Sequence, residues 1–383
     1  LHVETSAHIL KEYIPEALLA LLLLCFVIQL LFLLVQQRRL AIYRLPSVEQ
    51  DMYNTPPVSV IISARNEAEN LKKYLPAVLN QDYPDFEVIV IDDCSSDDSR
   101  HIIEEFCKVY NNLKMVTVTE RPRFKTGKKF ALTMGIKASK NECLIFTDAD
   151  CKPASENWIA HVAANFSTTK DIILGYSPYL KSSGFINAFV RFETLKTGIN
   201  YLSAALGGDA YMGIGRNLAY KKSLFFKSKG FASHLHVLAG DDDLFVNRNA
   251  TAENTVIEIH PDAFTFSESK NTLRGWFRQK QRHMGVGGLY KNKHRRMLSL
   301  EAMSGFVFYI AIAACLFYWF MPLVALCVYL LRLLTQYFVY YKSAKKLTGL
   351  NLLWLLPVFD LLYYTYLNVF GLIGTFIKTT RWK

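Results

Sequence analysis

The chain has 383 residues, 51% hydrophobic and 20% charged, with a formal net charge of +11 at pH 7. That length exceeds one ordinary core, and that apolar share excludes a disordered protein. The basic excess would suit nucleic acid, but no recognition helix, zinc-ligand spacing or aromatic RNA-binding motif accompanies it, so no nucleic-acid partner is expected.

The first element is apolar. Glu16 to Val35 reads EALLALLLLCFVIQLLFLLV and is followed by QQRRLAIYR. It is long enough to cross a hydrocarbon core of about 30 Å, and its positive charge follows it rather than preceding it as in a secretory leader; a retained membrane anchor is expected. Two more apolar regions lie towards the other end: about 303–341, long enough for two passes with a turn at Met321–Pro322, and 350–377, which carries Pro357 and Asp360. The basic clusters Arg38, Arg39, Arg44 and Lys291, Lys293, Arg295, Arg296 flank these regions on the side of the intervening domain. The positive-inside rule then puts that domain in the cytoplasm of a multi-pass protein, in a bacterial inner membrane, and contacts with anionic headgroups account for much of the net charge. A single crossing by 350–377 would leave Lys378, Arg381 and Lys383 outside, against the rule, and a bend at Pro357 would return them; both readings stay open here. The expected organisation is an anchor over 1–45, a domain over 46–298 with an interfacial helix near 271–288, and C-terminal spans over 299–383. The seven cysteines form no CxxC pair and read as reduced and structural.

Within the domain, strand and helix alternate. VSVIISA, FEVIVID, KMVTVTE and ECLIFTD are apolar β-rich runs; EAENLKKYLPAVLNQ, SSDDSRHIIEEFCKVY and GKKFALTMGIKASK between them have helical spacing. Such a pattern predicts an α/β fold, a mostly parallel sheet with helices on both faces and ligands at the carboxyl ends of the strands. Three polar clusters lie at those ends: Ala64–Glu67 (ARNE), Asp92–Asp98 (DDCSSDD) and Asp148–Cys151 (DADC). Three on one sheet edge imply a shared pocket. Asp148 and Asp150 are alternate residues of an extended chain and share a face; their hard oxygens suit Mg2+ or Mn2+, which would join them to phosphate oxygens. An isolated Asp-x-Asp is as often a pair of solvated loop residues.

SARNEAENL, VIDDCSSDDS, TGKKFALTMGIKAS, FTDADC, GIGRNLAYKK, AGDDDLFVNR and RQKQRH occur in the order of the signatures of inverting family 2 glycosyltransferases, and the chain from about 57 to 288 resembles that family. The flanking apolar segments resemble its membrane-bound subgroup, which includes ceramide glucosyltransferases and polysaccharide synthases. The resemblance implies a GT-A nucleotide-sugar-binding domain flanked by transmembrane helices. It further implies that Arg65, Glu67, Asp92, Asp93, Lys128 and Asp148 meet the nucleotide sugar, and that Asp148 and Asp150 bind the metal. Gly213 to Lys222 would shape the floor of the sugar and acceptor pocket. Transfer needs a carboxylate opposite the departing diphosphate to take the acceptor proton. Aligning Arg248 with the family's basic residue makes Asp242 that base, and a different register selects Asp241 or Asp243. Gln279 and Arg282 fit a QxxRW-type motif, the arginine offsetting charge on the leaving group and the glutamine contacting the acceptor side. His283 stands where the motif has tryptophan, which argues against a polymer channel. Trp276 and Phe277 are expected as interfacial anchors, and the aromatic run from Phe185 to Tyr211 as core or as an acceptor-facing helix.

The function so implied is transfer of a sugar from a nucleotide-sugar donor, a UDP-sugar, to a membrane lipid or lipid-linked glycan. A processive polysaccharide synthase and a non-catalytic membrane scaffold are the alternatives. A nucleotidyltransferase is disfavoured, because no glycine-rich phosphate loop follows the first strand.

Overall fold

A computed structural model describes residues 2–46, 55–119, 127–237, 239–270 and 272–376, with the side chains of 2–13, 281–284 and 372–376 excepted. The chain enters through α1 (His2–Leu31), a π-helical turn (Phe32–Gln37) and α2 (Arg38–Ile42). The domain then begins with β1 (Val58–Ala64), α3 (Ala68–Leu79), β2 (Phe86–Asp93), α4 (Ser99–Val109), β3 (Leu113–Val118), α5 (Lys128–Ala138) and β4 (Cys143–Asp148). These match the alternation predicted from the sequence. After them come β5 (Cys151–Pro153), α6 (Trp158–Ala164), β6 (Ile172–Leu174), α7 (Phe185–Leu206), β7 (Leu218–Lys221), α8 (Lys222–Lys227) and α9 (Asp243–Asn249). The chain closes with β8 (Thr255–Ile257), β9 (Thr265–Ser267), α10 (Leu273–Gly287), α11 (Asn292–Phe317), α12 (Pro322–Lys346) and α13 (Leu356–Phe376).

Seven strands form one sheet in the order β3-β2-β1-β4-β7-β6-β8. β1 runs parallel to β2 and β4, and β7 runs antiparallel to β4 and β6. Continuous apolar strands are needed because both faces are covered. On one face Val58, Val60 and Ile62 of β1 meet Leu71 and Leu75 of α3, Ile103 of α4 and Trp158 of α6. On the other, Ile61, Ile89 and Ile91 meet Ala131, Leu132 and Ile136 of α5. Helix α5 lies close against the strands: a Cβ at Gly135 would stand 2.5 Å from Ile91 Cδ1.

Four helical segments among the described residues are long and apolar enough to cross a membrane: Ile14–Ile42, Asn292–Phe317, Pro322–Lys346 and Leu350–Gly371. The expected turn at Met321–Pro322 is present, with Trp319 and Met321 at positive φ and Pro322 opening α12. Helix α11 is continuous, so the expected boundary between 298 and 299 falls inside it. Pro357 lies in the first turn of α13 and does not break it, and a 3₁₀ stretch over Leu350–Leu355 leads directly into that helix.

Helix α7 is the joint between these layers. Phe192, Lys196 and Tyr201 are fully buried in it, which decides the open reading of the Phe185–Tyr211 run in favour of core for most of its residues. Lys196 donates to Asp360 of α13 at 2.7 Å, and Asp360 also receives Tyr309 of α11 at 2.8 Å and Arg332 of α12 at 2.9 Å. Trp276 of α10 is buried against Phe189, Tyr366 and Phe370, with ring centroids 5.2–5.7 Å away. It therefore anchors α10 to α13 within the protein, which corrects the expectation of an interfacial anchor at this position.

Candidate active site

Parallel pairing levels the strand ends that matter. Ser63 pairs with Asp148 and Ala64 with Asp92, so the segments leaving β1, β2 and β4 emerge side by side. Each of the first two exits is reversed by a residue in the left-handed region, Asn66 at φ 55° and Cys94 at φ 57°. For asparagine this is a tolerated conformation, and its side chain adds a tie: Asn66 Oδ1 accepts from the Ser96 amide at 2.8 Å. The Glu67 amide donates to Ser99 Oγ at 2.8 Å, which closes the two loops onto each other. Together they form one side of a cavity of about 310 Å3.

Arg65, Glu67, Asp93, Lys128, Asp148, Asp150, Asp242 and Gln279 all line this cavity. Asp92 does not; it accepts the Ser95 amide at 3.1 Å and shapes the loop, because adjacent residues of a strand face opposite ways. Arg282 lies in α10, but its side chain falls outside the described residues.

Lys128, the first residue of α5, ties the acidic segments together. Its ammonium is 2.7 Å from Asp148 Oδ1 and 3.3 Å from Asp241 Oδ2, and its side chain is only 17% exposed. Burial alone would lower its pKa, but the carboxylates of Asp148, Asp241 and Asp242 outweigh that and hold it well above the ordinary lysine value. Lys128 is therefore not an ordinary solvent-facing helix lysine.

Burial and then the neighbouring Asp148 raise the Asp150 carboxyl, with Arg216 opposing them. Two hard carboxylates in one cavity, one of them resisting ionisation through burial and then through the other's charge, are what a divalent cation would relieve. The residues present thus fit Mg2+ or Mn2+. Among the described residues one further group, His161, His260 and Asp262, has metal-binding types close together. Its imidazoles stack with centroids 4.1 Å apart and planes at 14°, so their in-plane lone pairs do not converge on one ion, and none of the three lines the cavity.

Gly240, at φ 93°, turns the chain into the aspartate triplet at the start of α9. Asp242 Oδ2 accepts from the Gly215 amide at 2.7 Å and Oδ1 from the Asp243 amide at 2.8 Å. Burial, and then Asp241, push its carboxyl up to about 6 despite Lys128. Asp243 goes up to about 8 for the same reason, burial followed by Asp242, and receives the Tyr290 hydroxyl at 2.8 Å. A carboxylate near 6 in a cavity can take a proton at neutral pH.

Arg216 lies in the Gly213–Lys222 segment expected to shape the pocket floor, whereas the lining residues Tyr179 and Glu193 were not singled out in the sequence. Arg216 sits 4.2 Å over the Tyr179 ring and donates to the Ser177 carbonyl at 3.1 Å. Tyr179 receives Gln279 Nε2 at 3.1 Å. Glu193 is paired with Lys280. Tyr179 has no signal in the sequence, but a lone Glu in the apolar run FINAFVRFETLK is one, since a charge in a buried helix needs a partner.

The family model described as "Glycosyl transferase family 2" matches residues 59–227, and that of "Glycosyl transferase family group 2" matches 145–373. "Probable glycosyltransferase YdaM" of Bacillus subtilis is 28% identical over 247 residues, 62% of this chain and 57% of its own length. "Beta-monoglucosyldiacylglycerol synthase" of Trichormus variabilis is 33% identical over 117 residues, 30% of this chain and 24% of its own. The chain thus spans 57% or less of the length of either relative. Among solved structures, "Mannosyltransferase PcManGT from Pyrobaculum calidifontis in complex with GDP-Man and Mn2+" superposes with a TM-score of 0.58 at 20% identity, covering 87% of this chain and 98% of that one. That likeness shows the fold, GT-A.

Proposed function

The chain belongs to glycosyl transferase family group 2 and has the GT-A fold, and we propose that it is an inverting membrane glycosyltransferase that moves one sugar from a UDP-sugar to a lipid acceptor at the cytoplasmic face. The observation that carries this reading is the reach of one ammonium, Lys128, to both Asp148 and Asp241, which brings the donor carboxylates and the aspartate triplet into one cavity. The four apolar helical segments and the basic residues flanking them support the membrane setting and its orientation. Similarity to a protein named for glycosylating diacylglycerol supports a lipid acceptor.

In this reading Arg65, Glu67 and Asp93 hold the nucleotide. Asp148 and Asp150 would hold Mg2+ or Mn2+, whose chemistry here is to neutralise the diphosphate as it departs. Asp242 takes the proton of the acceptor hydroxyl; the oxygen bonds to the anomeric carbon as the bond to the diphosphate breaks, inverting that carbon. Lys128 and Arg282 offset the charge on the leaving group, and Gln279 contacts the acceptor side. Asp241 is a second candidate for the base, favoured by its contact with the same lysine that holds Asp148.

The test is to offer the detergent-solubilised protein a panel of UDP-sugars and GDP-mannose with total bacterial lipid, and to identify products by mass spectrometry. A lipid heavier by one sugar is expected, and Asp242→Asn should cut its formation by about 100-fold or more. Asp241→Asn in parallel separates the two candidates for the base. A ladder of sugars would replace the single-transfer reading with a processive synthase.

A further inference from the structure

One cavity carboxylate has no part in the chemistry above. Glu193, on α7, is 5% exposed and lines the same cavity as Asp148. Its Oε1 accepts from Lys280 of α10 and, at 2.9 Å, from the Tyr366 hydroxyl of α13. Its Oε2 is buried and accepts no hydrogen bond among the described residues. Native structures seldom leave a buried carboxylate oxygen without a donor, because desolvation then goes uncompensated; such an atom in a substrate cavity marks a place for a ligand's own donor.

The surroundings narrow the kind of donor. Thr194 and Thr197 of the same helix also line the cavity, offering hydroxyls beside Glu193. Behind Glu193 the Tyr366 ring of α13 packs on the buried rings of Trp276 of α10 and Phe370 of α13, centroids 5.2 and 5.8 Å away, which holds its hydroxyl on Oε1. The cavity lining also includes Met212, Ile214 and Val286, so the polar shelf lies beside apolar side chains, which suits a ligand with a hydroxylated head and an apolar part.

We propose that Glu193 selects the acceptor: its Oε2 accepts a hydrogen bond from an uncharged hydroxyl of a lipid headgroup and disfavours a headgroup that puts an anionic oxygen there. This rests on reading the cavity as a sugar-transfer site. A hydroxyl supplies the proton the buried oxygen lacks, whereas a phosphate or carboxylate would set lone pairs against lone pairs in a desolvated place, and the resulting discrimination is of the strong kind that buried polar groups provide.

The experiment uses the full chain in detergent, with the nucleotide sugar that supports transfer, and total bacterial lipid split on an anion exchanger into neutral and anionic fractions. Label is expected in the neutral fraction. Glu193→Gln, which puts an N–H where the free oxygen was, should raise the half-saturating concentration of neutral lipid at least tenfold while the KM for the donor stays within twofold; Glu193→Asp should fall between. A role limited to packing would lower the melting temperature and leave the split between the two KM values unchanged, and that result overturns the proposal, as does label confined to anionic lipid. Should Glu193→Gln not fold, Glu193→Asp decides by the same split. If the parent protein transfers sugar to no lipid, the functional reading itself has failed and this proposal goes with it, whereas transfer by the parent with an unaltered acceptor KM in the variants overturns this proposal alone.

Discussion

At the scale of residues, the site is a balance of like charges. Asp241, Asp242 and Asp243 are consecutive, and burial first and then the neighbouring carboxylate make Asp242 and Asp243 harder to ionise. The consequence is a pH dependence whose sign can be worked out. Asp242, pushed up to about 6 by burial and by Asp241, is protonated below that pH and cannot take the acceptor proton. Above it the carboxylate is free to act. On the proposed mechanism, kcat/KM should rise as pH increases through about 6 and then level, and the limb should vanish from the residual activity of Asp242→Asn. A flat profile from pH 5 to 8 with unchanged protein stability would remove Asp242 from that role.

At the scale of elements, α5 matters because it delivers Lys128. The helix approaches the sheet through Gly135, where an added Cβ would stand 2.5 Å from Ile91 Cδ1 and 3.1 Å from Ile61 Cγ2. Gly135→Val should therefore push the helix off the strands, costing about 1–3 kcal/mol of stability, and should weaken donor binding through displaced Lys128. Thermal unfolding in detergent together with the KM for the donor checks both; an unchanged melting temperature would show that the contact yields without strain. Helix α10 is joined to α13 by Trp276, and α7 carries cavity residues on one side and Lys196 on another. One side of the cavity is thus lined by α7 and α10, two helices that are not part of the sheet, with α13 packed behind them.

At the scale of the molecule, one buried polar network joins the catalytic domain to the apolar helices. Asp360 receives Lys196 from α7, Gln336 and Arg332 from α12, and Tyr309 from α11, while Arg332 and Tyr364 both donate to Gln29 of α1. Gln37, in the π-helical turn, adds a bond of 2.7 Å to Asn200 of α7. Asp360→Ala leaves two buried cations without their shared carboxylate, a change expected to cost about 3–5 kcal/mol. The folded fraction recovered in detergent should drop sharply, and Asp360→Asn, which keeps some of the hydrogen bonds, should lose less. Equal recovery of parent and Asp360→Ala would mean that the network adds nothing to the fold.

Much of this was legible in the sequence for local reasons. Apolar runs at a period of two or 3.6, and apolar stretches long enough for a bilayer, arise from neighbours along the chain, so β1, β2, β4, the helices between them and the apolar segments could be read directly. The clusters at Arg65, Asp93 and Asp148 followed, because a parallel sheet collects its strand ends on one edge. What the sequence could not supply were contacts between distant segments. That Asp92 serves its loop while Asp93 faces the cavity, that Trp276 packs on α13 and that Glu193 leaves one oxygen without a donor among the described residues all depend on which side chain meets which across 87 to 173 positions or on which way a strand end faces. Periodicity along the chain specifies the faces of each element, and only the packing of those faces decides which polar atoms are satisfied within the protein and which are left for a substrate.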